Sequence, residues 1–106
     1  MAARRRRVEW TARARTALED AVAYIASDSP AAAERLLVKI LDAAASLSEL
    51  TERGRVVPEL EEPSVRELIV PPYRLVNEYD LSHVRILALL HTAQEFHLRR
   101  RHVRNG

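Results

Sequence analysis

A chain of 106 residues has room for one domain and one modest core, and 47% hydrophobic with 30% charged residues is a globular mixture, not a disordered one. It contains no cysteine, which excludes a disulfide framework and a thiolate metal site. No charge-free apolar run approaches the roughly 18 residues of a membrane span. The basic start also leads into no apolar leader, so a cytoplasmic protein with no membrane partner is expected.

The net charge of +2 does not by itself announce a polyanionic partner, but the charges are unevenly placed. Residues 4–7 are all arginine, Arg99, Arg100, Arg101 and Arg104 form a second block, and acidic residues crowd the middle. Arginine's planar fork suits carboxylates and phosphates. Both blocks sit at chain ends, which reads as a single domain over 1–106 with flexible basic termini at about 1–6 and 98–106.

Residues 8–11, Val8-Glu9-Trp10-Thr11, alternate apolar and polar and predict a short first strand, with Thr11 placed to cap a helix. Residues 12–27 carry Ala14, Leu18, Ala21, Val22 and Ile25 at helical spacing, opposite Arg13, Arg15, Glu19 and Asp20. Ser29-Pro30 is a second helix start, a cap oxygen followed by a proline where its missing N–H costs nothing. That helix is predicted to reach about residue 50, since Ala33, Leu36, Leu37, Ile40, Leu41, Ala44, Leu47 and Leu50 stand at i, i+3 and i+4 separations from one another. Such a short connection imposes an antiparallel helical hairpin.

Gly54 closes the helical region, and residues 55–64, with Pro58 and Pro63, read as an extended acidic loop. The period then changes to two. Strands are predicted at 65–70, 73–79 and 84–91, joined by Pro71-Pro72 and by Asp80-Leu81-Ser82-His83. The last is nearly all apolar and is expected to be central. A short helix is expected in 92–106. The order β-α-α-β-β-β predicts an α+β fold, a helical hairpin packed on one face of an antiparallel sheet whose other face stays open for function. Leu18, Val22, Ile25, Leu36, Leu37, Ile40, Leu41, Ala44 and Leu47 form the expected core.

Several segments, in this order, resemble the ParE/RelE superfamily of small toxins, closer to ParE. Gly54-Arg55-Val56-Val57-Pro58-Glu59-Leu60 resembles the family's linker. Val65-Arg66-Glu67-Leu68-Ile69-Val70 followed by Tyr73-Arg74-Leu75-Val76 resembles its central hairpin, and Ile86-Leu87-Ala88-Leu89-Leu90-His91 its last strand. The resemblance implies a RelE/ParE-like fold and the toxin component of a type II toxin–antitoxin system. It implies a cognate antitoxin as partner, with operator DNA reached only through that antitoxin, and no cofactor. For ParE-like members it implies DNA gyrase as target without nuclease chemistry. The alternative is a RelE-like endoribonuclease acting on mRNA in the ribosome, and a second is an inactive toxin retained as co-repressor.

Metal-free RNA cleavage needs cations around the phosphate and a group that moves protons. In the nuclease reading Arg66, Arg74 and His91 would be catalytic; otherwise Arg66, Arg74, His91 and Arg99 are expected target or antitoxin contacts, met by an acidic antitoxin segment that lays a helix in a groove or adds a strand. The nuclease pattern is depleted: Glu67 and Leu68 stand where another base belongs, and Thr92-Ala93-Gln94 follows His91 where an arginine belongs. The structural alternative for Arg74 is a cross-strand ion pair with Glu67 or Glu78, and for His91 a hydrogen-bonded strand end. His91, Glu95, His97 and His102 lack metal-ligand spacing, so no metal is expected. Asn77 departs from the aromatic residue usual in the family and should share a face with Leu75.

Overall fold

A computed structural model describes residues 5–97. In chain order these form β1 (Arg7–Trp10), α1 (Ala12–Ala26), α2 (Pro30–Ser46), β2 (Arg55–Val56), β3 (Val65–Val70), β4 (Tyr73–Tyr79) and β5 (His83–His91). The expected basic tail, with Arg99 and most of the expected C-terminal helix, lies outside the described residues; 92–97 are neither helix nor strand.

Both helices start where their caps require. The Thr11 hydroxyl accepts from the Ala14 amide, the Ser29 hydroxyl from that of Ala32, and Pro30 fills the first helical position. α2 ends at Ser46, short of residue 50. There the amides of Leu47 and Ser48 reach back only three residues, and the Thr51 hydroxyl donates to the Leu47 carbonyl at 2.9 Å, closing the turn. The buried stripe is Ala14 and Leu18 on α1, with Leu36, Ile40, Ala44 and Leu47 from the second helix and its cap; Val22, Ile25 and Leu37 pack at its margin. Leu41 is not part of it. One residue on from Ile40, it turns about 100° away on the helix and is 43% exposed.

The sheet order is β1-β5-β4-β3-β2, with β3, β4 and β5 an antiparallel meander. The middle strand is β4, and β5, expected to be central, lies beside it, still interior because β1 covers its other edge. Three further features depart from the expectation. β1 runs parallel to β5, Arg7 opposite His83 through Trp10 opposite Ile86, so the sheet is mixed. A four-residue alternation carries no information on direction; the Thr11 amide and hydroxyl, which both donate to the Ile86 carbonyl, fix it. Second, the predicted 55–64 loop begins with a strand, Arg55 opposite Glu67 and Val56 opposite Arg66. Gly54 permits this approach, because a Cβ there would lie 2.4 Å from the Glu67 carbonyl oxygen.

Third, the face away from the helices is not open. Val57, Val65, Val76, Ala88, Leu90 and Phe96 form a second apolar cluster on it, supplied partly by the linker and partly by residue 96. A bulge in β5 makes this possible. Asn77 pairs with Ile86 but Val76 pairs with Ala88, leaving Leu87 as the extra residue. Val84 and Ile86 therefore point to the helices, while Ala88 and Leu90 point to the opposite side.

At the amino end, Arg6 is docked instead of solvated: its guanidinium donates to the Asp80 carbonyl and the Thr51 hydroxyl and sits 5.7 Å from the Tyr79 ring centre. Among the described residues no helix is long and apolar enough to cross a membrane.

Asn77 faces the helices, fully buried, and among the described residues neither amide atom has a partner. A buried unpaired polar group costs about 1–3 kcal/mol. Asn77→Leu, similar in volume, is therefore expected to raise the stability measured by denaturant unfolding. Ile40→Ala, at the centre of the buried stripe, should lower it by about 2–5 kcal/mol.

Candidate functional site

Strand alternation gathers the charges of the linker and hairpin on the face away from the helices. Arg55 on β2 pairs with Glu67 on β3, which lies beside Val76 on β4; Arg74 on β4 pairs with Ile69 and shares Val76's side. The Glu67 side chain is fully buried. One of its oxygens accepts from Arg55 Nε at 2.5 Å, and the other from Arg74 Nε at 2.6 Å. The far end of the Arg74 guanidinium meets Glu59 in a two-pronged pair at 2.8 and 3.0 Å and also donates to the Gln94 carbonyl. Glu59 in turn accepts the Phe96 amide at 2.9 Å.

The result is an ion chain, Arg55–Glu67–Arg74–Glu59, with two charges of each sign. Its hydrogen bonds are charge-assisted, the stronger kind. The bonds from Arg74, followed by the Phe96 amide, hold the Glu59 carboxyl down at about 2. Glu59 likewise raises the Arg74 pKa, against the opposing effect of burial.

The candidate residues do not converge. Arg66 pairs with Asn77 and so lies on the helix-facing side, where its guanidinium tethers the Pro63 and Gly54 carbonyls. Arg74 is on the opposite side, 7% exposed at its side chain and bound to glutamates. His91 pairs with Tyr73, its ring edge-on at 5.9 Å, and its amide donates to the Gln94 side chain. Tyr73 and Asn77 are four residues apart on β4, so His91 and Arg66 are separated by about 13 Å along the sheet at ~3.3 Å per residue. His91 instead borders a groove against α1 with Arg13, Asp20, Tyr24, Tyr73 and Gln94.

Sequence reasoning missed Glu59, Arg55, Gln94 and Phe96. Glu59 sat in the quoted linker motif, but only the path of the chain brings it to Arg74, 15 residues away. Of the two cross-strand partners considered for Arg74, Glu67 is the one it holds. Among the described residues no three His, Asp or Glu side chains are grouped as a metal would need.

The sequence model of the ParE toxin of the type II toxin–antitoxin system parDE matches residues 8–96. The chain belongs to the ParE toxin family. Among its relatives, the candidate toxin Y4kP of Sinorhizobium fredii is 34% identical over 93 residues, covering 87% of this chain and 94% of that protein. Toxin RelE2 of Caulobacter vibrioides is 45% identical over 67 residues, 62% of this chain and 72% of that one. A chromosomal ParDE toxin–antitoxin structure from P. aeruginosa shares the fold, with a TM-score of 0.68 at 21% identity over 84% of this chain and 98% of its own. This ParE-family chain is thus a toxin component of a type II system, with the helical hairpin and meander of that fold.

The depressed Glu59 carboxyl makes a pH prediction. Its folded-state value is below the ordinary 4.5, so its stabilisation is complete above about pH 4.5 and is lost as pH falls towards about 2. Glu59→Gln should flatten this part of the acid-side decline when melting temperature is followed from about pH 6 to about pH 2.

Proposed function

We propose that this ParE-family toxin inhibits growth by protein contact with DNA gyrase, and that a cognate antitoxin neutralises it. The observation that carries the reading is Arg74. In the resemblance to nuclease members it would be the third-strand cation, yet here its guanidinium is held by Glu59 and Glu67. Phosphoryl transfer without a metal needs free donors where charge develops, and each lost donor costs about 2.7–4 kcal/mol of transition-state stabilisation. The separation of Arg66, Arg74 and His91 across two faces supports the same reading.

Antitoxin binding is supported by apolar side chains exposed on the helical hairpin, Tyr24, Val38 and Leu41, which suit an amphipathic helical segment. Arg55, 64% exposed at its side chain, is a better partner for antitoxin acids than the enclosed Arg74. Operator DNA would be reached through the antitoxin.

A RelE-like nuclease remains the second reading because of the 45% identity to a protein named Toxin RelE2. It would use Arg66, Arg74 and His91, with the ribosome supplying the missing groups.

Induction of the chain without its antitoxin separates the two. Gyrase poisoning should leave transcripts intact while plasmid supercoiling falls or gyrase–DNA cleavage complexes accumulate. Codon-phased mRNA cuts that vanish in Arg74→Ala, with supercoiling unchanged, would decide for the nuclease.

A further inference from the structure

We infer that Arg74 and Glu59 form a clasp that positions residues 92–97 for toxin action, making Arg74 a positioning residue that acts through this strap and does not touch the target. Residues 92–97 form no helix or strand, yet charged side chains specify their path. Arg74 donates to the Gln94 carbonyl at 2.5 Å, and Glu59 accepts the Phe96 amide at 2.9 Å. Arg13, from α1, lies 5.3 Å from the Phe96 ring centre and donates to the His97 carbonyl. The Phe96 ring is buried in the second apolar cluster.

Covering that cluster requires only an apolar side chain. It does not require ion-assisted bonds to two backbone groups of the strap. Directional bonds of this kind select one path for a segment that would otherwise sample many. The selected path leaves Thr92, Ala93, Gln94, Glu95 and His97 exposed, with Phe96 the buried anchor. Gln94 also forms one wall of the groove against α1. A recognition segment ordered in advance has less conformational entropy to lose on binding. The inference rests on the reading above only in needing a surface contact with the target; it does not depend on which target is met.

The test uses Glu59→Gln, which removes the charge at the clasp, and Phe96→Ala, which removes the anchor. Ile40→Val, a core change remote from the strap, controls for loss of stability. Each protein is released from its antitoxin and studied where all are folded, by amide hydrogen exchange, growth inhibition on induction and supercoiling by purified gyrase. Both strap variants should exchange the amides of 92–97 at least about tenfold faster and lose about tenfold in potency, while Ile40→Val keeps wild-type strap protection and potency. Wild-type potency in the strap variants despite faster exchange overturns the inference, and so does unchanged protection of 92–97. Equal loss of potency in Ile40→Val assigns the effect to stability and likewise overturns it. If the wild-type chain stops growth without affecting gyrase, the gyrase reading fails, and growth inhibition alone judges the clasp.

Discussion

A carboxylate with no access to solvent must be answered by cations, and Glu67 is answered twice. Breaking a buried pair from one side costs about 3–5 kcal/mol, because the remaining charge stays desolvated. The demand of this one side chain organises the irregular parts of the molecule. Arg55 is drawn across to form β2, which leads the linker along the edge of the hairpin. Arg74 is fixed along β4 with its outer fork free to take Glu59, and through Glu59 the linker is tied to Phe96. Regular hydrogen bonding accounts for the helices and the meander. The linker and the strap are held by this ion chain and by the small apolar cluster beside it.

The same arrangement bears on chemistry. Arginine is chosen for phosphate because its fork is planar and permanently charged, and a fork already engaged by two carboxylates offers a phosphate little. In this ParE-family chain the hairpin arginine is built into the scaffold through Glu59 and Glu67. Tyr24, Val38 and Leu41 on the hairpin and the outer side of 92–97 are among its exposed surfaces.

Much of the fold was legible because each helix carries its own start signal. Thr11 and Ser29-Pro30 are local devices that work whatever the surroundings, and the stripe of Leu36, Ile40, Ala44 and Leu47 needs only helical geometry. The meander was legible from the change of period after Ser64. The direction of β1 was not, because it depends on a bond between residues 75 positions apart. Nor was the bulge at Leu87, since an inserted apolar residue in an apolar run leaves the pattern unchanged. That hidden switch carries Ala88 and Leu90 to the far side, which a two-layer reading of the fold leaves open. At the site, Arg74 and Glu67 could be paired by register, whereas Glu59 reaches them along a linker with no period to read. Asn77 was visible as an anomaly, and its orientation followed from Leu75, yet its two unpaired amide atoms are a property of the packed interior.

The tie between Thr11 and Ile86 has a kinetic consequence. An interior strand of the sheet, β5, is the last strand among the described residues, and it is the strand with which β1 pairs there. The helical hairpin can form early from local contacts, but it has no complete surface to pack against until residues 83–91 are in place. Contacts of such long sequence separation require loop closure before they return any stabilisation. Folding is therefore expected to be slower than helix content alone would suggest, with the apolar hairpin formed first and waiting for its sheet.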